Sequence, residues 1–257
     1  MEIPLLEDDL GEPGILEASM LHRRGAELPQ VAVLCFFNEL LELLAEEGTL
    51  TTKYVLHSEI GRNPIYEFTS GEGVVAVVHP GVGAPLAAGV VEEIASLGVT
   101  TLVACGGAGA LVEDLAMGHV MVVASALRDE GTSFHYAGPS RIIDADPLGI
   151  EVLQEVLVEQ GVPHFLGRTW TTDAFFRETR SRVTRRIAEN CSMVDMESSA
   201  FIAVARYRSL RFAQLLYAGD SLAGEQWDSR SWVSARSVRE QLFRLSCVAA
   251  LRLHSAP

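Results

Sequence analysis

Two apolar segments that each run directly into glycines constrain the fold most strongly. Residues 74–79 are rich in valine and lead into a Pro-Gly-Val-Gly turn, and residues 100–105 lead into a Gly-Gly-Ala-Gly turn. Continuous β-branched runs are typical of strands that a parallel sheet buries on both faces. Glycines after a strand let the backbone approach a ligand and expose N–H groups to it. A change in chain direction explains either turn alone, but two such turns in successive strand–helix units favour a binding site.

Neither glycine turn matches a common nucleotide-binding motif. Neither has the G-x-G-x-x-G spacing at the start of a helix, with an acidic residue some twenty positions further on. Neither ends in the Gly-Lys-Ser/Thr of a phosphate-binding loop. A dinucleotide-dependent oxidoreductase is therefore the weakest of the enzyme classes that the pattern allows.

Strand-like and helix-like segments alternate along the remaining chain, which predicts an α/β protein. The 257 residues suffice for one large domain and are too few for two comfortable ones. The first segment is acidic and carries Pro13 and Pro29. We therefore expect an N-terminal arm over residues 1–30, packed on the domain or on a partner subunit, and a single domain over residues 31–257.

The composition narrows the possible partners. A formal net charge of −14 disfavours general binding to nucleic acids or to anionic membranes. The acidic N-terminus lacks a cleavable apolar core, and no apolar run reaches membrane-spanning length, which predicts a cytoplasmic protein.

The four cysteines lack the spacing of metal ligands, so we predict no metal site. They are Cys35, Cys105, Cys191 and Cys247.

Two carboxylates are placed where an α/β enzyme keeps its chemistry. Glu197 opens a helix-like apolar run, and Asp220 closes a short strand-like run 23 residues later. A carboxylate that starts a helix and another that ends the next parallel strand would meet in the crevice at the carboxyl ends of the sheet. Each also has a structural explanation, because Glu197 suits a helix N-terminus and Asp220 can cap a turn with Ser221.

Several motifs together resemble, in order and spacing, the nucleoside phosphorylase-I superfamily. They are residues 80–85, 105–111, 118–123, 128–133 and 172–176, the pair Met196 and Glu197, and the pair Gly219 and Asp220. The superfamily includes purine nucleoside phosphorylases, uridine phosphorylases and methylthioadenosine-type nucleosidases, and residues 128–133 look most like the uridine phosphorylase branch. The resemblance covers residues 31–250. It implies a phosphorylase/hydrolase-like fold, with a twisted mixed β-sheet, partly closed into a barrel and flanked by helices.

The resemblance also implies roles for individual residues. Glu197 would accept hydrogen bonds from ribose hydroxyls, and Met196 would pack on the sugar. Asp220 would protonate or hydrogen-bond the departing base, as in purine-cleaving members. Phe175 would stack on the base, although a core position explains it almost as well. The remaining expectations are a pocket lined by Ala108 and Gly109, and partners for the sugar 5′-hydroxyl in His135 or His22.

The phosphate site departs most from the family pattern. The family's Gly-Asp-Pro-x-Arg after the first strand is Cys-Phe-Phe-Asn-Glu at residues 35–39, and Ala104 stands where an arginine is usual. The candidate replacements are Gly83, Gly106, Gly107, Arg62 and Arg128, with Arg141 or the arginines of residues 177–186 as further options. Nucleosidases of this fold also lack those arginines and position water with a glutamate, for which Glu39 is the candidate, although a first-turn helix carboxylate explains it as well.

These residues lead to one functional expectation with two alternatives. The chain is expected to cleave the N-glycosidic bond of a nucleoside, with a purine-type base favoured by Asp220. Phosphate is the possible co-substrate, no cofactor is needed, and sites of this family imply a homodimer or a hexamer built as a trimer of dimers. The alternatives are a nucleosidase that uses water and a homologue that binds nucleosides without turnover.

Overall fold

The computed structural model describes residues 3–7, 9–21, 28–232 and 235–257. Its strands are β1 (Val31–Cys35), β2 (Leu50–Ser58), β3 (Gly61–Ser70), β4 (Gly73–Val78), β5 (Thr101–Ala110), β6 (Val120–Asp129), β7 (Ile142–Asp144), β8 (His164–Thr172), β9 (Cys191–Asp195) and β10 (Arg211–Ser221). They form a ten-stranded sheet in the order β10-β6-β8-β9-β5-β1-β4-β3-β2, with β7 paired to β6.

Five of the strands close into a barrel because β10 also pairs with β5. The long ladder between these two strands runs parallel from the pair Arg211 and Thr101 to the pair Ala218 and Ala108. The β10–β6 and β9–β5 pairs are antiparallel, whereas β6–β8 and β8–β9 are parallel. The predicted α/β fold, a mixed sheet partly closed into a barrel, is therefore confirmed.

One detail of the sequence-based expectation is wrong. Glu197 and Asp220 were expected at the ends of two parallel strands, but β9 and β10 run in opposite directions relative to β5. Both carboxylates nevertheless line one cavity, because β9 meets β5 only near Gly109 and Ala110 and β10 extends alongside the same part of β5. Barrel closure, rather than a shared strand direction, brings them together.

Helices cover both faces of the sheet and bury two large apolar clusters. The helices are α1 (Asn38–Glu46), α2 (Ala84–Ser96), α3 (Pro147–Glu159), α4 (Arg180–Ala188), α5 (Ser198–Tyr207) and α6 (Arg236–Ser255). One apolar cluster joins the sheet to α2 and α5, and the other joins it to α1, α3 and α6. Short 3₁₀ turns occur at Pro4–Leu6, Ala18–Met20, Thr132–His135 and Phe175–Arg177.

The described part of the N-terminal segment lies on the domain. Glu17 forms an ion pair with Arg208, at 3.0 Å between Oε2 and Nη2, and the Leu28 N–H donates to the Leu97 carbonyl. The regular sheet begins at Val31. The division into an arm over residues 1–30 and a domain over residues 31–257 stays a prediction.

Across the described residues, no helix is both long enough and apolar enough to cross a membrane.

The four cysteines are buried free thiols. Cys35 and Cys105 are register partners on β1 and β5, and burial raises the pKa of the Cys35 thiol well above its ordinary value. These side chains belong to the apolar core of the sheet.

The contact of α3 with β10 gives a prediction about stability. A Cβ at Gly149 would lie 2.7 Å from the Phe212 carbonyl oxygen and 2.9 Å from the Ala213 Cβ, so Gly149→Ala should lower the free energy of unfolding by about 1–3 kcal/mol. Gly89→Ala on α2 is the matched control, because nothing lies within 4 Å of its Cβ position. That change should stabilise the helix by about 0.5–1 kcal/mol. Urea unfolding of both variants checks this, and equal effects would contradict it.

Candidate active site

A cavity of about 780 Å³ opens at the end of the barrel. Its walls come from the ends of β5, β9 and β10, from residues 36–37 after β1, from the 3₁₀ turn Phe175–Arg177 and from α6. Mostly apolar walls with a few convergent polar groups are typical of small-molecule sites. Glu197 and Asp220 both face this cavity, as do Met196, Phe175, Gly106, Gly107, Ala108 and Gly109.

The buried carboxylate of Asp195 holds the turn between β9 and α5. Its Oδ1 accepts hydrogen bonds from the hydroxyls of Thr169 and Thr171 on β8, at 2.9 and 3.0 Å. Its Oδ2 accepts from the N–H groups of Glu197 and Ser198, at 2.9 and 2.6 Å, and from the Ser198 hydroxyl at 2.7 Å. Five donors to one carboxylate fix the backbone from which Glu197 projects into the cavity.

Glu197 links the first glycine turn to the end of β9. Its Oε1 accepts a hydrogen bond of 2.6 Å from the N–H of Gly83, which precedes α2. Gly83 has φ of 94°, a conformation that a side chain would strain. Burial, and secondly the negative charge of Asp195, raise the pKa of the Glu197 carboxyl to about 8. The N–H of Gly83 is therefore already bound to a side chain of this chain.

A second layer of polar contacts supports α5 from behind. The Ser199 hydroxyl donates to Glu130 Oε1 at 2.8 Å, and the Ser133 N–H donates to Glu130 Oε2 at 2.9 Å. The guanidinium of Arg128 donates to the Ser133 hydroxyl at 2.8 Å and, through its other nitrogens, to three oxygens of residues 137–140. Arg128 lies outside the cavity and anchors the segment that carries Ser133.

The carboxylate of Asp220 lies beside Gly109 and lines the same cavity. Its Oδ1 is 3.5 Å from the position that a Gly109 Cβ would occupy, and its Oδ2 accepts a hydrogen bond of 2.6 Å from the Trp227 indole N–H. Glu178 also lines the cavity, and burial, followed by the charge of Asp220, raises its pKa to about 7. The site therefore contains a second carboxyl group beside Asp220.

Exposed aromatic rings form the outer wall. Phe175 and Phe176 stack with ring centroids 4.0 Å apart, and their exposed fractions are 50% and 89%. Trp227 and Trp232 lie on the segment after β10 and also line the cavity. Phe175 is thus placed at the opening and not in the apolar core, with its ring available to a planar ligand.

The glycines of residues 106–109 continue strand β5, so the turn expected after that strand is wrong. A Cβ at Gly106 would lie 3.0 Å from the Phe36 ring, and a Cβ at Gly107 would lie 3.2 Å from the Tyr217 ring. Glycines here leave room for these two rings beside the cavity. Gln214, 2% exposed, and Arg239 of α6 are further polar residues of the cavity lining.

The structure places the other predicted residues away from the cavity. His135 is exposed on its 3₁₀ turn, Arg62 is exposed on β3 opposite His57, and His22 lies outside the described residues. Arg141 pairs with Glu189 at 2.5 Å. The arginines of residues 177–186 lie on or beside α4. Arg180 donates to the Leu222 and Gly224 carbonyls, and Arg186 forms ion pairs with Asp129 and Glu189.

Sequence reasoning missed Glu178, Gln214, Trp227 and Arg239. Glu178 follows the Phe-Phe pair by two positions, so its proximity to the motif at residues 172–176 was a usable signal. Gln214 is a lone polar residue in the apolar run of β10, which was a second signal. Within the described ranges, no group of three or more His, Cys, Asp or Glu side chains could hold a metal ion.

Comparison with known proteins gives a consistent result. The sequence profile of a family described as the phosphorylase superfamily matches residues 30–250. A guanosine phosphorylase from Halorubrum lacusprofundi is 29% identical over 153 residues, which cover 59% of this chain and 64% of that protein. A uridine phosphorylase from Treponema pallidum is 28% identical over 172 residues, which cover 62% of this chain and 67% of that protein.

The fold has close counterparts among solved structures. A purine nucleoside phosphorylase from Toxoplasma gondii superimposes with a TM-score of 0.75 at 20% identity, over 91% of this chain and 94% of that one. At this identity the similarity supports the fold alone. The match over nearly the whole of both chains agrees with the barrel and the flanking helices described above.

The buried carboxyl of Glu197 should make stability depend on pH. Its stabilising contribution is fully present below the ordinary pKa of 4.5 and is lost as the pH rises through about 8, because the folded state resists ionisation. A glutamine at position 197 cannot ionise, so Glu197→Gln should not lose stability over this pH range. The difference between the melting temperature of Glu197→Gln and that of the wild type should therefore increase by on the order of 5 °C from about pH 5 to about pH 9.

Circular dichroism melts at several pH values measure this difference. Glu151→Gln, which removes an exposed carboxylate from α3, controls for the change in net charge. A difference between Glu197→Gln and wild type that stays constant across the pH range would contradict burial of an ionisable group at Glu197.

Proposed function

This chain belongs to the phosphorylase superfamily, and we propose that it cleaves the N-glycosidic bond of a purine-type nucleoside with phosphate as the nucleophile. The observation that supports the proposal most directly is that Glu197, Asp220 and Phe175 line one cavity. A sugar and a base would occupy the space between the two carboxylates. The names of the relatives, a guanosine and a uridine phosphorylase, agree with this class of reaction.

Glu197 is the proposed ribose ligand. Its carboxylate can accept hydrogen bonds from two vicinal hydroxyls, and such donors favour the ionised form and oppose the raised pKa of the empty site. An ionised carboxylate next to the sugar also stabilises the positive charge that develops on the ribose as the bond breaks. Met196, Ala108 and Gly109 would pack around the sugar and the base.

Asp220 is the proposed acid at the base. As the bond between C1′ and the ring nitrogen breaks, its electron pair moves into the base, and a proton from the Asp220 carboxyl moves to a base nitrogen. A phosphate oxygen then bonds to C1′, which gives free base and sugar 1-phosphate. Trp227 orients the carboxylate, and Glu178 holds a proton near neutral pH beside it, so Glu178 can resupply the acid.

The chain's assembly and location belong to the same proposal. Val82, Phe176 and Trp227 at the cavity opening have exposed fractions of 64%, 89% and 63%. A neighbouring subunit would cover these side chains, which supports a homodimer or a trimer of dimers. Light scattering in solution measures this, and a monomer would contradict it. The cytoplasmic location stays a prediction.

Hydrolysis by water is the second candidate. It is favoured by the scarcity of positive charge at the site, because Arg239 is the one cationic side chain among the described residues that line the cavity.

Release of base from a panel of purine and pyrimidine nucleosides, with and without phosphate, distinguishes phosphorolysis from hydrolysis. Phosphate-dependent release supports phosphorolysis, and phosphate-independent release of free sugar supports hydrolysis. Binding without release would identify a non-catalytic homologue.

Asp220→Asn should fold and bind nucleoside normally but turn over about 10²–10⁴-fold more slowly, since the amide cannot supply the proton. Asp228→Asn is the matched control, because Asp228 is an exposed carboxylate in the segment after the same strand. Initial rates of base release and equilibrium nucleoside binding measure the two effects separately. Wild-type turnover in Asp220→Asn would refute the assigned role.

Glu197→Ala should weaken the binding of ribonucleosides more than that of 2′,3′-dideoxynucleosides. The reason is that the dideoxy sugars lack the two hydroxyls that the carboxylate accepts, so they lose nothing when it is removed. We expect at least about a tenfold difference between the two losses, as charged hydrogen bonds contribute about 1.5–3 kcal/mol each. Titration of both ligand classes measures it. Equal losses would show that Glu197 does not bind the diol.

A further inference from the structure

We propose that Trp227 is a positioning residue for the acid step. Its indole N–H holds the Oδ2 atom of Asp220, so that the other carboxyl oxygen, Oδ1, carries the proton that moves to the base. The inference rests on the proposed function for the acid step itself. The assignment of the two oxygens can nevertheless be tested on the protein without any nucleoside.

The loop from Ser221 to Asp228 folds back so that Trp227 meets Asp220. The N–H of Ser221 donates to the Asp228 carbonyl at 2.8 Å, and the N–H of Asp228 donates to the Ser221 carbonyl at 3.0 Å, which forms an isolated antiparallel bridge. Because side chains alternate between the two faces of paired strands, the residues that flank this pair share the opposite face. Asp220, Leu222 and Trp227 are on that face, and all three line the cavity.

Two arginines tie this part of the chain to the rest of the domain. Arg180 at the start of α4 donates to two carbonyl oxygens of the loop, that of Leu222 at 2.9 Å and that of Gly224. Arg230, just after the loop, donates to the Leu115 carbonyl at 2.6 Å. The rigid fork of a guanidinium holds such acceptors in a fixed direction. The loop therefore presents its indole to the carboxylate from an anchored backbone.

The indole decides which oxygen of the carboxyl group carries a proton. An indole N–H donates and cannot accept, so the oxygen that it contacts acts as the acceptor. That oxygen is Asp220 Oδ2, which lies 2.6 Å from Trp227 Nε1. No donor among the described residues contacts Oδ1. In a protonated carboxyl the carbonyl oxygen is the better acceptor, so the proton is placed on Oδ1.

The Oδ1 atom of Asp220 lies where a ligand can reach it. It is 3.5 Å from the position that a Gly109 Cβ would occupy, and that position is 2.6 Å from Leu222 Cδ1 and 3.0 Å from Val194 Cγ1. Gly109, Leu222 and Val194 all line the cavity. A side chain at position 109 would fill the space beside Oδ1, so the glycine keeps this oxygen open to a base nitrogen.

The hydrogen bond to Oδ2 should become stronger as the proton leaves Oδ1. A hydrogen bond to an ionised acceptor is about twice as strong as one between neutral groups. Trp227 therefore stabilises the carboxylate that forms as the base departs more than the carboxylic acid that precedes it. An interaction that strengthens towards the transition state raises kcat and leaves substrate binding unchanged, so we expect Trp227 to act on kcat and not on KM.

Trp227→Phe keeps an aromatic ring and removes the N–H. The kcat of base release should fall by about five- to tenfold, with KM within about twofold of the wild type. In the Asp220→Asn background the same change should have no further effect, because Trp227 acts through the carboxyl group. Glu225→Gln, at an exposed position of the same loop, is the control and should keep wild-type kinetics. Equal slowing by Trp227→Phe in both backgrounds would overturn the positioning role.

NMR spectra of the indole N–H groups in the isotope-labelled full-length chain test the hydrogen bond without nucleoside. The Trp227 signal is identified by its loss in Trp227→Phe, and it should move upfield in Asp220→Asn because the acceptor loses its charge. Trp170 is the internal reference, because its indole donates to Asp129 Oδ2 at 2.9 Å and its signal should stay in place. An unchanged Trp227 signal in Asp220→Asn would overturn the oxygen assignment.

The two experiments together separate this inference from the proposed function. A Trp227 signal that shifts as described, with no release of base from any nucleoside, would refute the function and support the pairing of Trp227 with Oδ2. Base release that Trp227→Phe does not slow would refute the positioning role and leave cleavage of the glycosidic bond standing.

Discussion

The carboxylate of Asp195 is the contact on which the arrangement of the site depends. Its five donors come from β8 and from the first residues of the turn into α5, so it joins two barrel strands to a helix N-terminus. The same turn aims Glu197 at the N–H of Gly83. Satisfying one buried carboxylate therefore places a second one in the cavity, and its negative charge contributes to the raised pKa of Glu197.

Barrel closure supplies the other half of the site. The β10–β5 ladder carries Asp220 to a position above Gly109, and the antiparallel approach of β9 brings Glu197 to the same stretch of β5. Carboxylates from β9, β10 and the turn before α4 line the resulting space, and so does the guanidinium of Arg239.

Much of the fold could be predicted because its signals are local. The valine-rich run that forms β4 and the glycine turn after it are each encoded by a few consecutive residues, and both occur close to their expected positions. The glycines of residues 106–109 continue β5 and do not form the expected turn. From their positions at the ends of predicted elements, Glu197 and Asp220 could be expected in one crevice. The relative direction of β9 and β10 could not, because it depends on the closure of a barrel between strands far apart in the sequence.

The sequence by itself therefore determined the elements, the family and the residues that stand inside recognisable motifs. Only the tertiary structure decided which charged groups meet. Glu39 and Arg239 are 200 residues apart and lie in no shared motif, yet α6 packs against β1 and β5 and brings them into contact. Conversely, Arg128 stands in a motif but donates all its hydrogen bonds to its own segment. Side-chain partners across a closed sheet depend on packing between distant segments, and no local pattern encodes them.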